Sequence, residues 1–291
     1  VAEFVYLNGK IVPEARAVVS VFDRGLVFGD GVFETLKSEN GIPLFAREHF
    51  RRLCTGLRAI GISKSKIECL VSDVQSGALF TLLRKNGLMN SPASIRITVT
   101  RGVEKKGFAP RSTTTPTVII YTRRVNTKEV TRAQTEGLTG ALIKEYGPAL
   151  PGIKSLNFLP NVLGRGEANR KGLFEGIFVD PEEGVTEGTA SNIFVVKNGK
   201  IKTPIAGHGI ARGGALPGVT RAVVIKLAKR KKIPVTEGRI TEAELLRADE
   251  VFLTNTLWEI APIKRIEKKK IGDVPGPITE LLQEAYRGVV R

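Results

Sequence analysis

Residues 150–162 read LPGIKSLNFLPNV, with Lys154 set among apolar, glycine, proline and small polar residues. The chain is otherwise crowded with lysines that stand beside other charges. Most lysines are solvated, and one in an apolar stretch can snorkel to the surface. A lysine kept in apolar surroundings and away from acids has a second use. Its pKa is lowered, and the neutral amine attacks carbonyl groups. The commonest carbonyl partner of such an amine is pyridoxal phosphate, which it meets in a Schiff base.

That partner makes further demands. Its phosphate needs a helix N-terminus and a cation, and its pyridine nitrogen needs a carboxylate to stay protonated. In GALPGVTRAVVIKLAK (214–229), Gly218, Val219 and Thr220 sit just ahead of a helix, where backbone N–H groups and the dipole favour an anion. The same residues also read as an ordinary N-cap by Thr220. EVFLTNT (250–256) adds a second hydroxyl, Thr256, in the loop after a strand. Arg52 projects beside the apolar face of its helix, either as a surface arginine or as the cation. Glu187, in GVTEGTASNIFVV (184–196), lies in a small-residue turn leading into a buried strand, either facing solvent or serving as the carboxylate. FGDGVFE (28–34) contains Gly-x-Gly, but it has no third glycine in place and no βαβ unit after it, which excludes a dinucleotide fingerprint.

Outward from these motifs the chain reads as two domains, 1–123 and 135–291, joined by a polar, basic linker at 124–134. FVYLNGKIV carries an Asn-Gly hairpin signal, and Asn40-Gly41 marks a second. AREHFRRLCTGLRAIGI is helical in spacing. Phe50, Leu53, Leu57 and Ile60 form its apolar face, and His49, Arg52 and Gly56 form the stripe beside it. A further helix is expected from about 66 to 85, then strands in SIRITVTRG and PTVIIYTRRV. Past the linker, strands and helices alternate: GLTGALIKEY, a helix over 161–171, EGIFVD, SNIFVVKNGKIKTP, the helix TRAVVIKLAKRKK, PVTEGRI, the short helix EAELLRA and EVFLTNT. This is a mixed α/β pattern.

The 291 residues are 42% hydrophobic and 25% charged, enough for large buried cores, and no apolar run approaches the ~20 residues of a membrane-spanning helix. The N-terminal residues read as a strand and turn, without the pattern of a signal peptide. Two cysteines, Cys54 and Cys69, and two histidines give no metal-ligand spacing and no disulfide framework, so a cytoplasmic, metal-free protein is expected. The net charge of +16 raises the prospect of a polyanionic partner. Acids separate many of the basic residues, and there is no zinc finger, RNA-recognition signature or aromatic-interleaved basic stripe. The expectation is a solvated basic surface that attracts anionic substrates, with no dedicated nucleic-acid partner. A polyanion-binding protein on an enzyme-like fold stays as the alternative.

Taken together, DRGLVFGDGVFETLK, HFRRL, GIKSLNFLPNVLGRGEA, EGIFVD…GVTEGTASNIFVV, GALPGVTR and ADEVFLTNTLWEIAPI resemble, in order and nearly end to end, the class IV (fold type IV) pyridoxal-phosphate enzymes. These are the branched-chain aminotransferases, D-amino acid aminotransferases and aminodeoxychorismate lyases. The resemblance implies a small N-terminal and a larger C-terminal α/β domain with pyridoxal 5′-phosphate between them, in a homodimer or higher homo-oligomer. It implies that Lys154 forms the Schiff base and shuttles the proton between substrate Cα and cofactor C4′. It assigns Glu187 to the pyridine nitrogen, and Arg52, Val219, Thr220 and Thr256 to the phosphate.

The substrate residues depart from the family's separate patterns. D-amino acid aminotransferases place a tyrosine where this chain has Phe33, and an Arg-x-His pair where TRGVEKKGF has Lys105 and Gly107. Branched-chain enzymes read Phe-Glu-Gly where this chain reads Phe33-Glu34-Thr35. The threonine, with a basic residue before Gly107-Phe108, is similar to aminodeoxychorismate lyases. The leading expectation is transamination between an aliphatic or branched-chain amino acid and a 2-oxo acid. Phe33 and Leu257 would act as apolar walls, and the Thr256-Leu257 loop would offer N–H groups and a hydroxyl to the substrate carboxylate. In the lyase alternative, Thr35 and Lys105 serve a ring with two carboxylates.

Overall fold

The computed structural model describes residues 3–105, 107–111, 114–211 and 213–290, with backbone only at 69, 70, 73, 75 and 76. The chain forms two compact units, Val1–Val125 with Ile153–Asn157, and Asn126–Gly152 with Phe158–Arg291.

In the first unit, β1 (Phe4–Leu7), β2 (Lys10–Pro13), β3 (Gly31–Glu39), β4 (Ile42–Pro43), β5 (Ala93–Thr100) and β6 (Thr117–Arg124) form an antiparallel sheet in the order β2-β1-β6-β5-β3-β4. Both expected hairpins are present. Asn8-Gly9 joins Leu7 to Lys10 and Asn40-Gly41 joins Glu39 to Ile42, each with both central residues at positive φ, as a two-residue turn matched to strand twist requires. Along β5 the alternation is sharp: Ala93, Ile95, Ile97 and Val99 are buried, while Ser94, Arg96 and Thr98 are partly exposed.

The α-helices among the described residues of this unit are α1 (Arg24–Phe28), α2 (Ala46–Ala59), α3 (Lys64–Asp73) and α4 (Leu79–Lys85). Helix α2 lays Phe50, Leu53 and Leu57 on β3 as its spacing predicts; Ile60 is instead its half-exposed C-cap. Gly56 is what lets α2 approach, since a Cβ there would stand 3.1 Å from Val32 Cγ1. The helical stretch expected over 66–85 is present without interruption from Lys64 to Lys85, α3 passing into α4 through one wider helical turn, Val74–Ala78, that contains the weak helix formers Ser76 and Gly77.

The second unit holds β7 (Leu138–Ile143), β8 (Glu175–Asp180), β9 (Gly184–Gly188), β10 (Asn192–Lys197), β11 (Lys200–Thr203), β12 (Val235–Glu237), β13 (Glu250–Asn255) and β14 (Glu259–Ile266) in the order β12-β11-β10-β13-β14-β7-β8-β9. A short β15 (Lys269–Lys270) pairs with β14. Its helices are α5 (Thr127–Glu136), α6 (Leu159–Arg170), α7 (Val219–Arg230), α8 (Glu242–Leu246) and α9 (Pro277–Val290). Strands β10 and β13 are buried on both faces. One face carries Ile193, Val195, Val251 and Leu253, and the other carries Phe194 and Phe252, whose rings stack 4.8 Å apart. This explains why both strands read as continuous apolar runs.

Two further features depart from the sequence reading. The proposed linker at 124–134 is mostly helix, because Asn126 caps α5 and its Ala133 packs into the apolar core. The C-terminal helix α9, not anticipated, buries Thr279, Leu282, Gln283 and Tyr286 on one face. Among the described residues no helix is long and apolar enough to cross a membrane.

Candidate functional site

Lys154 belongs to the first unit because its segment pairs with the start of β3. The Phe33 amide donates to the Lys154 carbonyl at 2.8 Å, the Leu156 amide donates to the Gly31 carbonyl at 3.0 Å, and Val32 bridges Ser155. This places the partly buried Lys154 Nζ 4.4 Å from the centroid of the Phe33 ring. The ring itself is 2% exposed, and the Arg96 guanidinium lies over it at 3.3 Å. Arg96 also reaches Thr35 Oγ1 at 3.5 Å, and burial lowers its pKa. Sequence reasoning missed Arg96; its position as an outward residue between buried β5 neighbours was the available signal.

Next to Phe33, the buried Glu34 points the other way. Arg52 donates to it through Nε at 2.6 Å and NH2 at 2.8 Å, and His49 Nδ1 lies 2.8 Å from Oε2. Burial alone would raise the Glu34 carboxyl, but Arg52 and His49 outweigh it and hold the pKa at about 2. Burial lowers the pKa of His49, and as the partner of a carboxylate it donates from Nδ1. Arg52, expected to meet a phosphate, thus spends two nitrogens on Glu34. Lys105 is exposed, with Nζ 5.7 Å from the Phe22 ring.

In the second unit, Glu187 is buried on β9 and accepts from the Leu216 amide at 2.8 Å and Asn192 Nδ2 at 3.4 Å. Asn192 Nδ2 also donates to the Leu216 carbonyl at 2.8 Å, so one amide ties the carboxylate to the loop that opens α7. A Cβ on Gly218 would stand 1.9 Å from Asn192 Oδ1, which explains the glycine. Glu175, buried under the turn after Glu187, accepts from the Thr189 amide and hydroxyl, Ser191 and Arg165. Burial raises its pKa against the pull of Arg165.

Helix α7 begins at Val219 with Gly218 as N-cap and no side-chain cap; Thr220 is 4% exposed. Its first-turn amides and the Thr220 hydroxyl are the donors an anion requires. Thr256 and Leu257 lie in the turn between β13 and β14. Asn255 Oδ1 accepts from the Leu257 amide at 2.9 Å and the Trp258 amide at 2.8 Å. The expectation that the Leu257 N–H is open to a substrate is therefore corrected: an Asx turn already uses it. Asn192 and Asn255, like Arg96, were not read from the sequence, since an asparagine beside a strand end has no distinguishing pattern.

Taken unit by unit, the donors present suit the parts of pyridoxal phosphate. A lysine over an apolar ring suits the carbonyl, an uncapped 12-residue helix with a buried threonine suits the phosphate, and a buried, doubly bonded glutamate suits a protonated pyridine nitrogen.

Residues 31–266 match the family model for amino-transferase class IV. A Methanocaldococcus jannaschii protein named, provisionally, a branched-chain-amino-acid aminotransferase is 38% identical over 289 residues, which are 98% of this chain and 96% of that protein. The aminodeoxychorismate lyase of Bacillus subtilis is 32% identical, covering 99% of this chain and 94% of that one. The crystal structure of the Escherichia coli branched-chain amino acid aminotransferase superposes with a TM-score of 0.86 at 30% identity, over 99% of this chain and 94% of that one. With its fold type IV architecture, the chain belongs to the class IV aminotransferases, which depend on pyridoxal 5′-phosphate.

Proposed function

We propose that the protein moves an amino group between an aliphatic or branched-chain amino acid and a 2-oxo acid. The observation that carries this reading is the buried Phe33 ring 4.4 Å from Lys154 Nζ, an apolar wall beside the reacting amine. Each methylene packed on such a wall is worth about 1–3 kcal/mol in discrimination, which favours aliphatic over acidic side chains.

Pyridoxal phosphate, when bound, supplies the carbonyl that receives the amino group and a ring that withdraws electrons from Cα. The residues of the chain do the rest. Lys154 is the residue that would hold the cofactor at its carbonyl, and its amine would carry the proton to and from substrate Cα. Glu187 keeps the pyridine nitrogen protonated, its carboxylate oriented by Asn192 and Leu216. The Val219 amide, the Thr220 and Thr256 hydroxyls and Arg52 hold the phosphate. Arg96, which makes no ion pair among the described residues, is a cation for a substrate carboxylate beside Phe33 and Thr35.

The proposal extends to a homodimer in the cytoplasm. Val18, Leu26 and Phe108 of the first unit, and Leu159 and Val162 of the second, are large apolar side chains exposed by 61–81%, surface of the kind that an interface between copies covers. Cys54 is a free thiol, as suits a reducing compartment. Light scattering tests the dimer.

The lyase is the second reading, favoured by the cation and hydroxyl that Arg96 and Thr35 offer to a second ring carboxylate. The loaded enzyme is given L- and D-branched-chain amino acids with 2-oxoglutarate, and separately aminodeoxychorismate without any 2-oxo acid. Spectral conversion in the first mixture supports the transaminase. Rapid pyruvate release in the second, with no conversion in the first, replaces it with the lyase.

A further inference from the structure

Strands β10 and β13 of the second unit pair as far as Asn192 and Thr254. Beyond that rung, Ser191 to Gly188 turn back to Glu187, and Asn255 to Trp258 turn towards β14 with Thr256 among them. The proposed function gives Glu187 to the pyridine nitrogen and Thr256 to the phosphate. The two ends of one cofactor therefore depend on two turns past the last rung of the ladder. One side chain spans them. Asn255 Oδ1 accepts from the Leu257 amide at 2.9 Å and the Trp258 amide at 2.8 Å, which folds the backbone around Thr256 into an Asx turn, and Nδ2 donates to the Ala190 carbonyl at 3.1 Å. All three bonds require this orientation of the amide, since the flipped one would set NH2 against two N–H groups. Ala190 belongs to a fixed frame. The Gly188 amide donates to the Ser191 carbonyl at 2.7 Å, the Thr189 amide donates to Glu175 at 2.9 Å, and the hydroxyls of Thr189 and Ser191 donate to the same carboxylate. Asn161 Nδ2 donates to the Thr189 carbonyl at 2.9 Å. On the other side, Gln134 Nε2 braces the turn of Thr256 by donating to the Trp258 carbonyl at 2.8 Å.

We propose that Asn255 is a positioning residue that sets the spacing between Thr256 and Glu187 by clasping their two turns together. A ligand held at both ends gains affinity from its second contact only when the two sites stand at the separation its own bonds fix. A site held at that separation in advance needs no reorganisation on binding. The clasp therefore matters to the joined molecule and not to either end offered separately. The proposal rests on the assignments of Glu187 and Thr256 to the cofactor.

The test offers three probes to the apoprotein: pyridoxal 5′-phosphate, which has both ends, pyridoxal, which lacks the phosphate, and inorganic phosphate alone. The first two are titrated by absorbance, and the third by its competition with pyridoxal 5′-phosphate, for wild type, Asn255→Ala, Asn255→Ser and Thr256→Val. Asn255→Ser keeps an oxygen that accepts from the Leu257 amide but is too short to reach Ala190. Both Asn255 variants are expected to weaken pyridoxal 5′-phosphate about tenfold, the contribution of one hydrogen bond, and to leave pyridoxal and phosphate within about twofold of wild type. Weakening of all three probes would mean a general loosening of the fold and overturn the proposal. So would wild-type affinity in Asn255→Ser, which leaves the Ala190 bond without a role. A loss for inorganic phosphate equal to that for pyridoxal 5′-phosphate would make Asn255 a phosphate ligand instead, and also overturn it. In each of these cases Thr256→Val still weakens both phosphate-bearing probes. If Thr256→Val binds them as wild type does, the phosphate assignment itself fails, and the role of Asn255 falls with it.

Discussion

Arg52 grips Glu34 with two parallel hydrogen bonds, Nε to Oε1 at 2.6 Å and NH2 to Oε2 at 2.8 Å, in a carboxylate that is 0% exposed. A buried charge is tolerated only when so paired, and removing one partner of such a pair costs about 3–5 kcal/mol. Arg52→Ala should therefore lose stability of that order as well as cofactor affinity. Adding Glu34→Gln should restore much of the stability, because the uncompensated charge is gone, while leaving affinity low. Chemical denaturation of the apoprotein and a cofactor titration separate the two effects.

The same carboxylate sets an acid limit. Glu34 titrates at about 2 in the fold, against 4.5 for an ordinary glutamate. A lowered carboxylate pKa contributes stability that is present above 4.5 and lost as pH falls towards 2. The loss over that window is on the order of 3 kcal/mol. Urea unfolding at pH 5, 4 and 3 should show this slope in wild type and a shallower one in Glu34→Gln. Parallel slopes would remove Glu34 from the account.

Lys154→Ala should keep the fold and lose several orders of magnitude in turnover, since one amine both bonds the cofactor and moves the proton. Borohydride reduction followed by intact-mass measurement should add cofactor mass to wild type and none to the variant. Substantial turnover by the variant without added amine would end the assignment.

Glu187→Gln should bind cofactor and react slowly, because an amide cannot keep the pyridine nitrogen protonated. The partners present, the Leu216 amide and Asn192 Nδ2, can still donate to the glutamine oxygen, so affinity should change little. A loss of affinity as large as that of Arg52→Ala would show that the two residues do not divide the work as proposed.

In the second unit, Phe252→Ala should destabilise by about 3–5 kcal/mol, the usual cost of deleting a fully buried phenyl ring. Phe252 is 0% exposed and stacks on Phe194 at 4.8 Å. A melting-temperature drop without any shift in the cofactor spectrum is the expected result.

The family, and the lysine proposed to react, were legible in the sequence, because both depend on local order. Asn-Gly turns, the apolar alternation of β5 and the setting of Lys154 are short-range patterns that backbone sterics and burial enforce. What the site residues touch was not legible. Arg52 could be read as a phosphate cation, but its grip on Glu34 joins α2 to β3 across 18 positions. Arg96 over Phe33 and Asn192 between Glu187 and Leu216 are likewise contacts between distant segments. Sequence by itself determined which chemistry the chain carries, since that follows from residue types in order. Only the tertiary structure decided which side chains share a charge, a ring or a proton, because those energies depend on distance and burial.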